Sequence, residues 1–470
     1  MITSFDDACR QLRALPGLGF AARPYLLLPL LRAGCLSVLL SSESADEGWD
    51  SRFGVELHSL EADTLLRDDR RAREDLGELL RRLPERVGTR WQGRELALAG
   101  YFALQQDWRA ALARLGVSLL AVPAEPDSPV LTDKTAMRTW FRALGLSTPA
   151  DALVGALDHR ELRRRFGGTF VVQQPTGSGG RGTYLVTDED ALRRIPPGGP
   201  WLVSEYAGDI SLNYHGLVGA DGTPSVLRPS LQLTDVPGTG AAFGRYSGCD
   251  YRAPAALPPR ALARCEQAME RIGWGLAELG HRGVFGADFV VRGESTVVLE
   301  LNCRVQGSTW LLGELELAER GLPTLLRHFL ERRGHPTAAK PAFDPVDAVQ
   351  LAIRHTGPPA RLLSAPRGGV YALDGGRLHR RADGYGLLEC GPDECVLLHI
   401  PRPGTRLLPG SPTARLLSRR ALTAPDGKVL TPHGRRLVEA LPALYTLAPA
   451  RPAPRRGGAV SSGVSAAGKN

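Results

Sequence analysis

The sequence predicts a mixed α/β and α+β fold made of several domains. Its 470 residues are 43% hydrophobic, and this length suits about three domains at roughly 100 to 200 residues each. Short apolar runs alternate with helical patterns over residues 1–130, which favours an open α/β domain. Hairpins and long helices over 131–340 favour two α+β lobes, and short strands separated by turns over 341–448 favour a small β-rich domain.

The apolar runs of the first domain predict strands at 26–31, 35–40 and 117–122, and the periodicity of 94–115 predicts a long helix. A helix is also expected over 132–145, because Thr132 or Asp133 can cap it and Gly145 can end it. The other predicted elements are strands at 170–172, 183–186, 201–206, 289–291 and 297–301, a helix at 262–279, a linker at 335–345 and a disordered tail at 449–470.

The lobes of the middle domain are expected at about 131–206 and 207–340. The formal net charge is +8, but the excess of basic residues lies in 402–436 and in the tail. The rest of the chain is slightly acidic, so the charge does not indicate a nucleic-acid partner.

The first residues, MITSFDDACRQLR, lack the basic stretch of a signal peptide, and the apolar runs are far shorter than a membrane span. We therefore expect a soluble, cytoplasmic protein without a membrane partner. Its seven scattered cysteines are expected to be free thiols, and Cys390 and Cys395 lack the further ligands of a zinc site.

A glycine-rich turn, Thr176 to Gly182, separates two predicted strands. Its small residues allow the backbone to approach a ligand closely and to direct successive N–H groups towards phosphate oxygens. No helix follows, so the turn is neither a P-loop nor a dinucleotide-binding turn. Taken alone, it indicates a phosphate-binding hairpin or simply a flexible one.

A second group of residues indicates a cation site. Glu300, Asn302 and Arg304 alternate along one strand and so share a face. Asp288, on the preceding strand, pairs with Glu300 if the connecting loop has an odd number of residues, such as Gly293 to Ser295. Two carboxylates and an amide oxygen would then meet, and such oxygen ligands suit Mg²⁺ completed by nucleotide phosphates.

These motifs occur in the order expected for the ATP-grasp superfamily. Lys134 in TDK, the hairpin VVQQPTGSGGRG, the strand VSEY, and GVFGADFV followed by LELNCRVQ together resemble its landmarks over about 130–310. The resemblance implies an α/β domain before two α+β lobes that sandwich ATP, and a β-rich C-terminal module. It also implies ATP and one or two Mg²⁺ ions as cofactors, with Mn²⁺ as a substitute.

The resemblance implies a role for each matching residue. Lys134 would contact the α-phosphate, and a closing loop would cover the β- and γ-phosphates. Arg304 would contact the reacting phosphate as a catalytic residue. The residues of the loop are Gly177, Ser178, Gly179, Gly180 and Gly182; those around adenine are Glu205, Tyr206 and Ala207; the ribose ligand is Asp209; and the metal ligands are Asp288, Glu300 and Asn302.

One position departs from the family pattern. Most members have a lysine nine residues before the last glycine of the loop, where this chain has Gln173. An amide can donate a hydrogen bond to a phosphate but brings no charge. We interpret Gln173 as the mark of a subgroup, because the metal ligands are intact.

The resemblance favours an ATP-dependent carboxylate–amine ligase, similar to peptide ligases of pheganomycin-type biosynthesis. It would activate an amino acid or peptide acid as an acyl phosphate, then form an amide or peptide bond, with the chain as a monomer or homodimer. The alternatives are a biotin-carboxylase-like or purine-pathway enzyme, and a non-catalytic nucleotide-binding protein. The candidate substrate contacts are Arg228, Arg245, Tyr246 and Ser308.

Overall fold

The computed structural model describes residues 1–13, 17–67, 77–79, 95–100, 110, 118–119, 128–177, 180, 182–208, 210–240, 244–338 and 347–450. The predicted tail beyond 450 and most of the helix predicted at 94–115 lie outside these ranges. The described helices are α1 (Phe5–Arg13), α2 (Leu28–Arg32), α3 (Trp49–Phe53), α4 (Leu60–Thr64), α5 (Lys134–Ala143), α6 (His159–Phe166), α7 (Glu189–Arg193), α8 (Pro259–Glu278), α9 (Thr309–Ala318), α10 (Thr324–Arg332) and α11 (Pro432–Ala440).

The N-terminal domain has a parallel sheet in the order β3-β2-β1-β5-β6. Its strands, together with the short β4, are β1 (Gly17–Ala21), β2 (Val38–Ser41), β3 (Glu56–Ser59), β4 (Leu66–Arg67), β5 (Glu95–Gly100) and β6 (Ser118–Leu119). The order reverses between β1 and β5, and ligands of open α/β sheets bind beside the carboxyl ends of strands at such a point.

Two predictions for this domain are wrong. Residues 26–31 are helical, because Pro24 begins a 3-10 turn and Pro29 lies in the first turn of α2. The leucines of this run are buried, and an apolar run of this length cannot by itself distinguish strand from helix. Residues 95–100 form β5 rather than the start of a helix, because β5 pairs with β1, a partner about 80 residues away that the local sequence does not reveal.

The small lobe contains an antiparallel sheet in the order β7-β10-β8-β9. The strands are β7 (Asp151–Val154), β8 (Phe170–Gln173), β9 (Thr183–Val186) and β10 (Trp201–Glu205). The predicted hairpin around the glycine-rich turn is thus confirmed as β8 and β9. Phe170, Val172 and Val186 pack beneath it in a separate small core with Phe166 of α6.

A ten-stranded sheet joins the large lobe to the C-terminal region, in the order β15-β14-β11-β12-β13-β16-β22-β20-β18-β19. Its strands are β11 (Ile210–Val218), β12 (Pro224–Thr234), β13 (Tyr246–Asp250), β14 (Gly283–Arg292), β15 (Ser295–Asn302), β16 (Val349–Arg354), β18 (Gly369–Asp374), β19 (Arg377–Ala382), β20 (Glu394–Leu398) and β22 (Pro412–Ser418). Because β13 pairs with β16, the sheet continues past position 340, which sequence reasoning assigned to a domain boundary.

The two faces of this sheet bury different layers. Helix α8 places Cys265, Met269 and Ile272 on one face. On the other face lie α9, α10 and the segment 25–31 of the N-terminal domain. A fourth sheet contains β4 together with β17 (Ala360–Ser364), β21 (Arg406–Leu407) and β23 (Thr446–Pro449), in the order β23-β17-β21-β4. The N-terminal domain therefore packs against both the large lobe and the C-terminal region.

The mixed α/β and α+β class predicted from the sequence is confirmed by these layers. Every one of the seven cysteines is a buried, free thiol. Within the described ranges, none of the helices is long and apolar enough to span a bilayer.

Candidate active site

The hairpin of β14 and β15 brings the two predicted metal-ligating carboxylates together. Asp288 pairs directly with Glu300, as the sequence predicted. The route differs from the expected one, because Arg292 pairs with Ser295 across a two-residue turn and the register shifts between Asp288 and Phe289. This bulge restores the pairing that a three-residue loop would have given, and it increases the local twist of the strand.

Asp288 is held in place by two amides. Asn213 Nδ2, on the neighbouring strand β11, donates to Asp288 Oδ1 at 2.7 Å, and Asn302 Nδ2 lies 3.4 Å from Asp288 Oδ2. Burial and the negative charge of Glu300 raise the pKa of Asp288 to about 7, against the opposing effects of Asn213 and Arg304. Two carboxylates in such proximity are costly without a cation between them.

Positive groups border this carboxylate pair. Lys134 Nζ, at the start of α5, lies 3.9 Å from Glu300 Oε1 and donates to the Gly177 carbonyl at 2.9 Å. Arg304 Nη2 donates to Asn302 Oδ1 at 3.0 Å. The helix carrying Lys134 begins there because Asp133 accepts two backbone N–H groups as an N-cap. Lys134 therefore links the glycine-rich loop to the carboxylate pair.

The donor set fits Mg²⁺. It consists of two carboxylates and one amide oxygen, which are hard oxygen ligands, and nucleotide phosphates and water can supply the remaining positions. No group of three or more His, Cys, Asp or Glu side chains with metal-binding geometry occurs in the described part of the chain. The site therefore depends on the Asp288–Glu300 pair and Asn302, and phosphate would be needed to complete it.

A buried polar network supports Asp288, and sequence reasoning did not find it. Asn213 also donates to Gln306 Oε1 at 2.7 Å and accepts from Ser308 Oγ at 3.0 Å. His215 Nε2 lies 3.0 Å from Thr309 Oγ1 and 3.4 Å from Ser308 Oγ. Burial lowers the pKa of His215 to about 3, so the ring is neutral. The alternation of Asn213 and His215 along a strand was the available signal.

Gly286 makes room for this network. It lies two residues before Asp288, and a Cβ there would meet Gln306 Nε2 at 1.7 Å. Only glycine lets the Gln306 side chain cross the strand to reach Asn213. The glycine at position 286 is therefore required by the packing behind the carboxylate pair.

The glycine-rich loop adopts backbone conformations that favour glycine. Gly177, Gly180 and Gly182 have φ of 143°, 74° and 69°. A Cβ on Gly180 would also lie 2.2 Å from the Gly244 carbonyl oxygen, so the loop contacts the segment that leads into β13. Ser178 and Gly179, two predicted ATP contacts, lie outside the described residues.

Gln173, which replaces the usual lysine, lies at the end of β8. Its Nε2 is 3.2 Å from Thr183 Oγ1, across the hairpin. The side chain is partly exposed and lies at the base of the glycine-rich loop. This position is compatible with a phosphate contact, and that role stays a prediction.

The predicted adenine segment follows β10. Glu205 ends the strand with an exposed side chain, and its Oε1 accepts from the Ala150 N–H at 2.9 Å. Tyr206 and Ala207 come next and are half-buried. Asp209, the predicted ribose ligand, lies outside the described residues. Glu205 therefore fixes the start of the strand pair β7–β10 through Ala150, and its contact with adenine stays a prediction.

The four candidate substrate contacts separate into two groups. Arg228 is buried and donates to Glu319 Oε1 at 2.6 Å, an ion pair that gives it a structural function without a ligand. The other three have different surroundings. Tyr246 packs against Gly307, Ser308 belongs to the network behind Asp288, and Arg245 extends towards Gly410.

Comparison with known proteins identifies the fold. Residues 131–308 match the family described as ATP-grasp domain. Biotin carboxylase from Campylobacter jejuni superposes with a TM-score of 0.58 at 11% identity over 92% of each chain. The biotin carboxylase domain of 2-oxoglutarate carboxylase from Hydrogenobacter thermophilus gives 0.58 at 13% identity, over 92% of this chain and 91% of that one.

N5-carboxyaminoimidazole ribonucleotide synthetase from Thermotoga maritima gives a TM-score of 0.52 at 13% identity, over 92% of this chain and 99% of that one. No curated protein matches the sequence significantly. These identities are low and establish the fold, which confirms the architecture that the sequence motifs predicted. The chain has the ATP-grasp fold, and residues 131–308 are the part of it that matches the ATP-grasp domain family.

Proposed function

We propose that the protein is an ATP-dependent ligase that activates a carboxylate as an acyl phosphate and couples it to an amine. The main support is the direct pairing of Asp288 with Glu300 beside Asn302, Lys134 and the glycine-rich loop. In this proposal the pair and Asn302 would bind a cation, Lys134 would supply a positive charge beside it, and the loop would supply backbone N–H groups. Such a combination suits a nucleotide triphosphate better than a neutral ligand.

The reaction has two steps. A carboxylate oxygen of the acid attacks the γ-phosphorus of ATP, the bond to the β,γ-bridging oxygen breaks, and ADP leaves. The amine then attacks the carbonyl carbon of the acyl phosphate, inorganic phosphate leaves, and the amine loses a proton. Mg²⁺ held by Asp288, Glu300 and Asn302 would neutralise charge on the transferring phosphoryl group.

The residues of the chain act mainly by positioning and by charge. Arg304, held by Asn302 at 3.0 Å, would contact an oxygen of the transferring group as the catalytic residue. Lys134 would bind the α-phosphate, since it already lies between the loop and Glu300. The neutral amide of Gln173 would donate to a phosphate oxygen without adding charge.

A bicarbonate-dependent reaction is a second candidate. The Hydrogenobacter thermophilus domain was solved with MgADP, ADP and bicarbonate, and bicarbonate is itself an acid that ATP can activate. In this chain, Gly307 and Ser308 follow Gln306. Carboxylases, by the family pattern, have a catalytic glutamate at the second of these positions. We therefore favour an organic acid as the substrate.

The finer assignment concerns the product. We propose an amino acid or peptide acid as the activated substrate and an amide or peptide bond as the product. We further propose a place in secondary metabolism, such as antibiotic biosynthesis, on the resemblance to peptide ligases of the pheganomycin type. Tyr246, which is partly exposed and packs against Gly307, is the candidate contact for such an acid. A homodimer is compatible with this proposal.

A phosphate-release screen tests the proposal. The protein is mixed with ATP, Mg²⁺, and amino acids or short peptides, each with and without an amine, and products are identified by mass spectrometry. We expect ADP formation that depends on an organic acid and a product heavier than the acid by the amine minus water. Turnover that requires only [¹⁴C]bicarbonate would favour the carboxylase alternative. No ATP turnover under any condition would favour a non-catalytic binding protein.

A further inference from the structure

Arg415 is a buried arginine that has no acidic partner among the residues that the structure describes. It lies on β22, is 2% exposed, and donates through Nη2 to Tyr25 Oη at 2.6 Å. Its guanidinium also lies 5.0 Å from the centre of the Tyr25 ring. Among the described residues, its Nε and Nη1 have no hydrogen-bond partner. A guanidinium has five N–H donors, and leaving them unpaired in a buried position is costly.

Three other arginines with little exposure each form an ion pair. Arg67 donates to Glu61 at 2.6 Å, Arg32 to Glu314 at 2.7 Å, and Arg228 to Glu319 at 2.6 Å. Within the described ranges, Arg415 forms no ion pair within 4.0 Å, although it is only 2% exposed. Arg415 therefore differs from these three arginines, whose charge is neutralised inside the protein.

Two buried acids on the far side of Tyr25 from Arg415, next to His399, are engaged there. Beyond Tyr25 lies His399, whose ring centre is 5.1 Å from that of Tyr25 and which pairs with Glu43. Asp46 accepts the backbone N–H groups of His399 and Ile400 at 2.7 and 2.8 Å. Neither carboxylate is placed to neutralise Arg415.

Neighbouring residues lead from Arg415 towards the carboxylate pair. Arg415 lies on the strand beside that of Gln350, because β22 pairs with β16. Gln350 Nε2 lies 3.0 Å from Tyr246 Oη and 3.2 Å from the Gly307 carbonyl oxygen. Ser308 follows directly and is hydrogen-bonded to Asn213, which holds Asp288.

The surroundings of Arg415 also suit a ligand. Gln350 and Arg415 lie on one face of the ten-stranded sheet, because Ala352, two residues from Gln350, pairs with Arg415. Tyr25 extends over this face from the loop after β1, beside the reversal of strand order in the N-terminal sheet. Tyr246 and Gly307 are partly exposed, so a ligand of Arg415 would enter beside these two residues.

We propose that Arg415 binds a carboxylate of the substrate that does not itself react. At least one of the two molecules joined would then be an amino acid, a peptide or a dicarboxylic acid. The guanidinium would donate two parallel hydrogen bonds to such a group, from Nη1 and from the second N–H of Nη2, whose first N–H bonds Tyr25. The statement about the joined molecules rests on the proposed ligase function, whereas the binding of a carboxylate by Arg415 can be tested without it.

The test compares carboxylate ligands with their neutral analogues. Dissociation constants are measured by thermal-shift titration of the full chain with L-amino acids and dipeptides, each paired with its C-terminal amide. We expect at least one acid to bind wild type about 30-fold more tightly than its amide, as for a buried hydrogen-bonded charge pair. In R415Q this preference should fall below about threefold, and R415K should retain part of it.

R32Q is the matched control, because Arg32 is a buried arginine with carboxylate partners. It should lower the melting temperature yet keep the preference for the acid. The proposal would be overturned if wild type bound no acid more tightly than its amide, or if R415Q showed the same preference for the acid as wild type. If R415Q does not fold, a preference in R415K equal to that of wild type would overturn it. E300Q separates this inference from the ligase function, since it should lose ADP formation but keep the acid preference.

Discussion

Asn213 is expected to be the most sensitive neutral residue behind the carboxylate pair. Its Nδ2 lies 2.7 Å from both Asp288 Oδ1 and Gln306 Oε1. Asn213→Asp keeps the shape and replaces this donor by a carboxylate oxygen. Two unit charges at that distance repel by about 6 kcal/mol at an effective dielectric constant of 20, and proton uptake by the pair limits the cost. We expect a loss of about 3 to 6 kcal/mol in the free energy of unfolding.

The assay is urea unfolding followed by fluorescence at pH 7.5 without Mg²⁺. N213A, which only removes the hydrogen bonds, should lose less, about 2 to 3 kcal/mol. Q232E is the matched amide-to-acid control, because Gln232 Oε1 accepts from Ser211 Oγ at 2.9 Å and a carboxylate can do the same. It should change stability by less than about 1 kcal/mol. An N213D protein as stable as Q232E would refute the reasoning about the network.

Two further predictions concern nucleotide binding and pH. Gln173→Lys should tighten ATP binding about fivefold by adding a charge-assisted hydrogen bond, measured by calorimetry with MgATP; a weakening of more than tenfold would mean that Gln173 does not face a phosphate. His328 is buried, and its Nδ1 accepts the Val284 N–H at 2.9 Å, so burial and the charge of Arg332 hold its pKa well below the usual value. Below pH about 6.5 the unfolded chain binds a proton at His328 that the native state does not bind. The free energy of unfolding of wild type should therefore fall relative to that of H328Q by about 1.4 kcal/mol per pH unit as the pH is lowered. A difference that stays constant between pH 7 and 5 in urea titrations would contradict this.

The sequence predicted most of the features that depend on local pattern. The hairpin around the glycine-rich turn, the helix capped by Asp133 and the pairing of Asp288 with Glu300 all follow from residue types at short spacing. The bulge beyond Asp288 was not predicted, because a strand pattern gives the alternation of faces but not the position of an extra residue.

Features that depend on distant partners were missed. Residues 95–100 are a strand because β1 lies beside them, and the run 26–31 is helical because its prolines begin turns between two packed layers. The alternation of Asn213 and His215 along a strand indicates only a shared face, since their partners Ser308 and Gln306 lie about 90 residues away. Arg415 could not be distinguished from the other arginines of a basic stretch until its burial was known.

The central claim is that Asp288 and Glu300 bind the cation of MgATP in an acid-activating enzyme. It is tested most directly by acid-dependent ADP formation in E300Q compared with E294Q. Glu294 belongs to the turn of the same hairpin, is exposed, and pairs only with Arg260 at 3.4 Å among the described residues. We expect E300Q to fold but to lose at least about 100-fold in rate, whereas E294Q should keep the wild-type rate. An E300Q protein with a rate within about threefold of E294Q would contradict it.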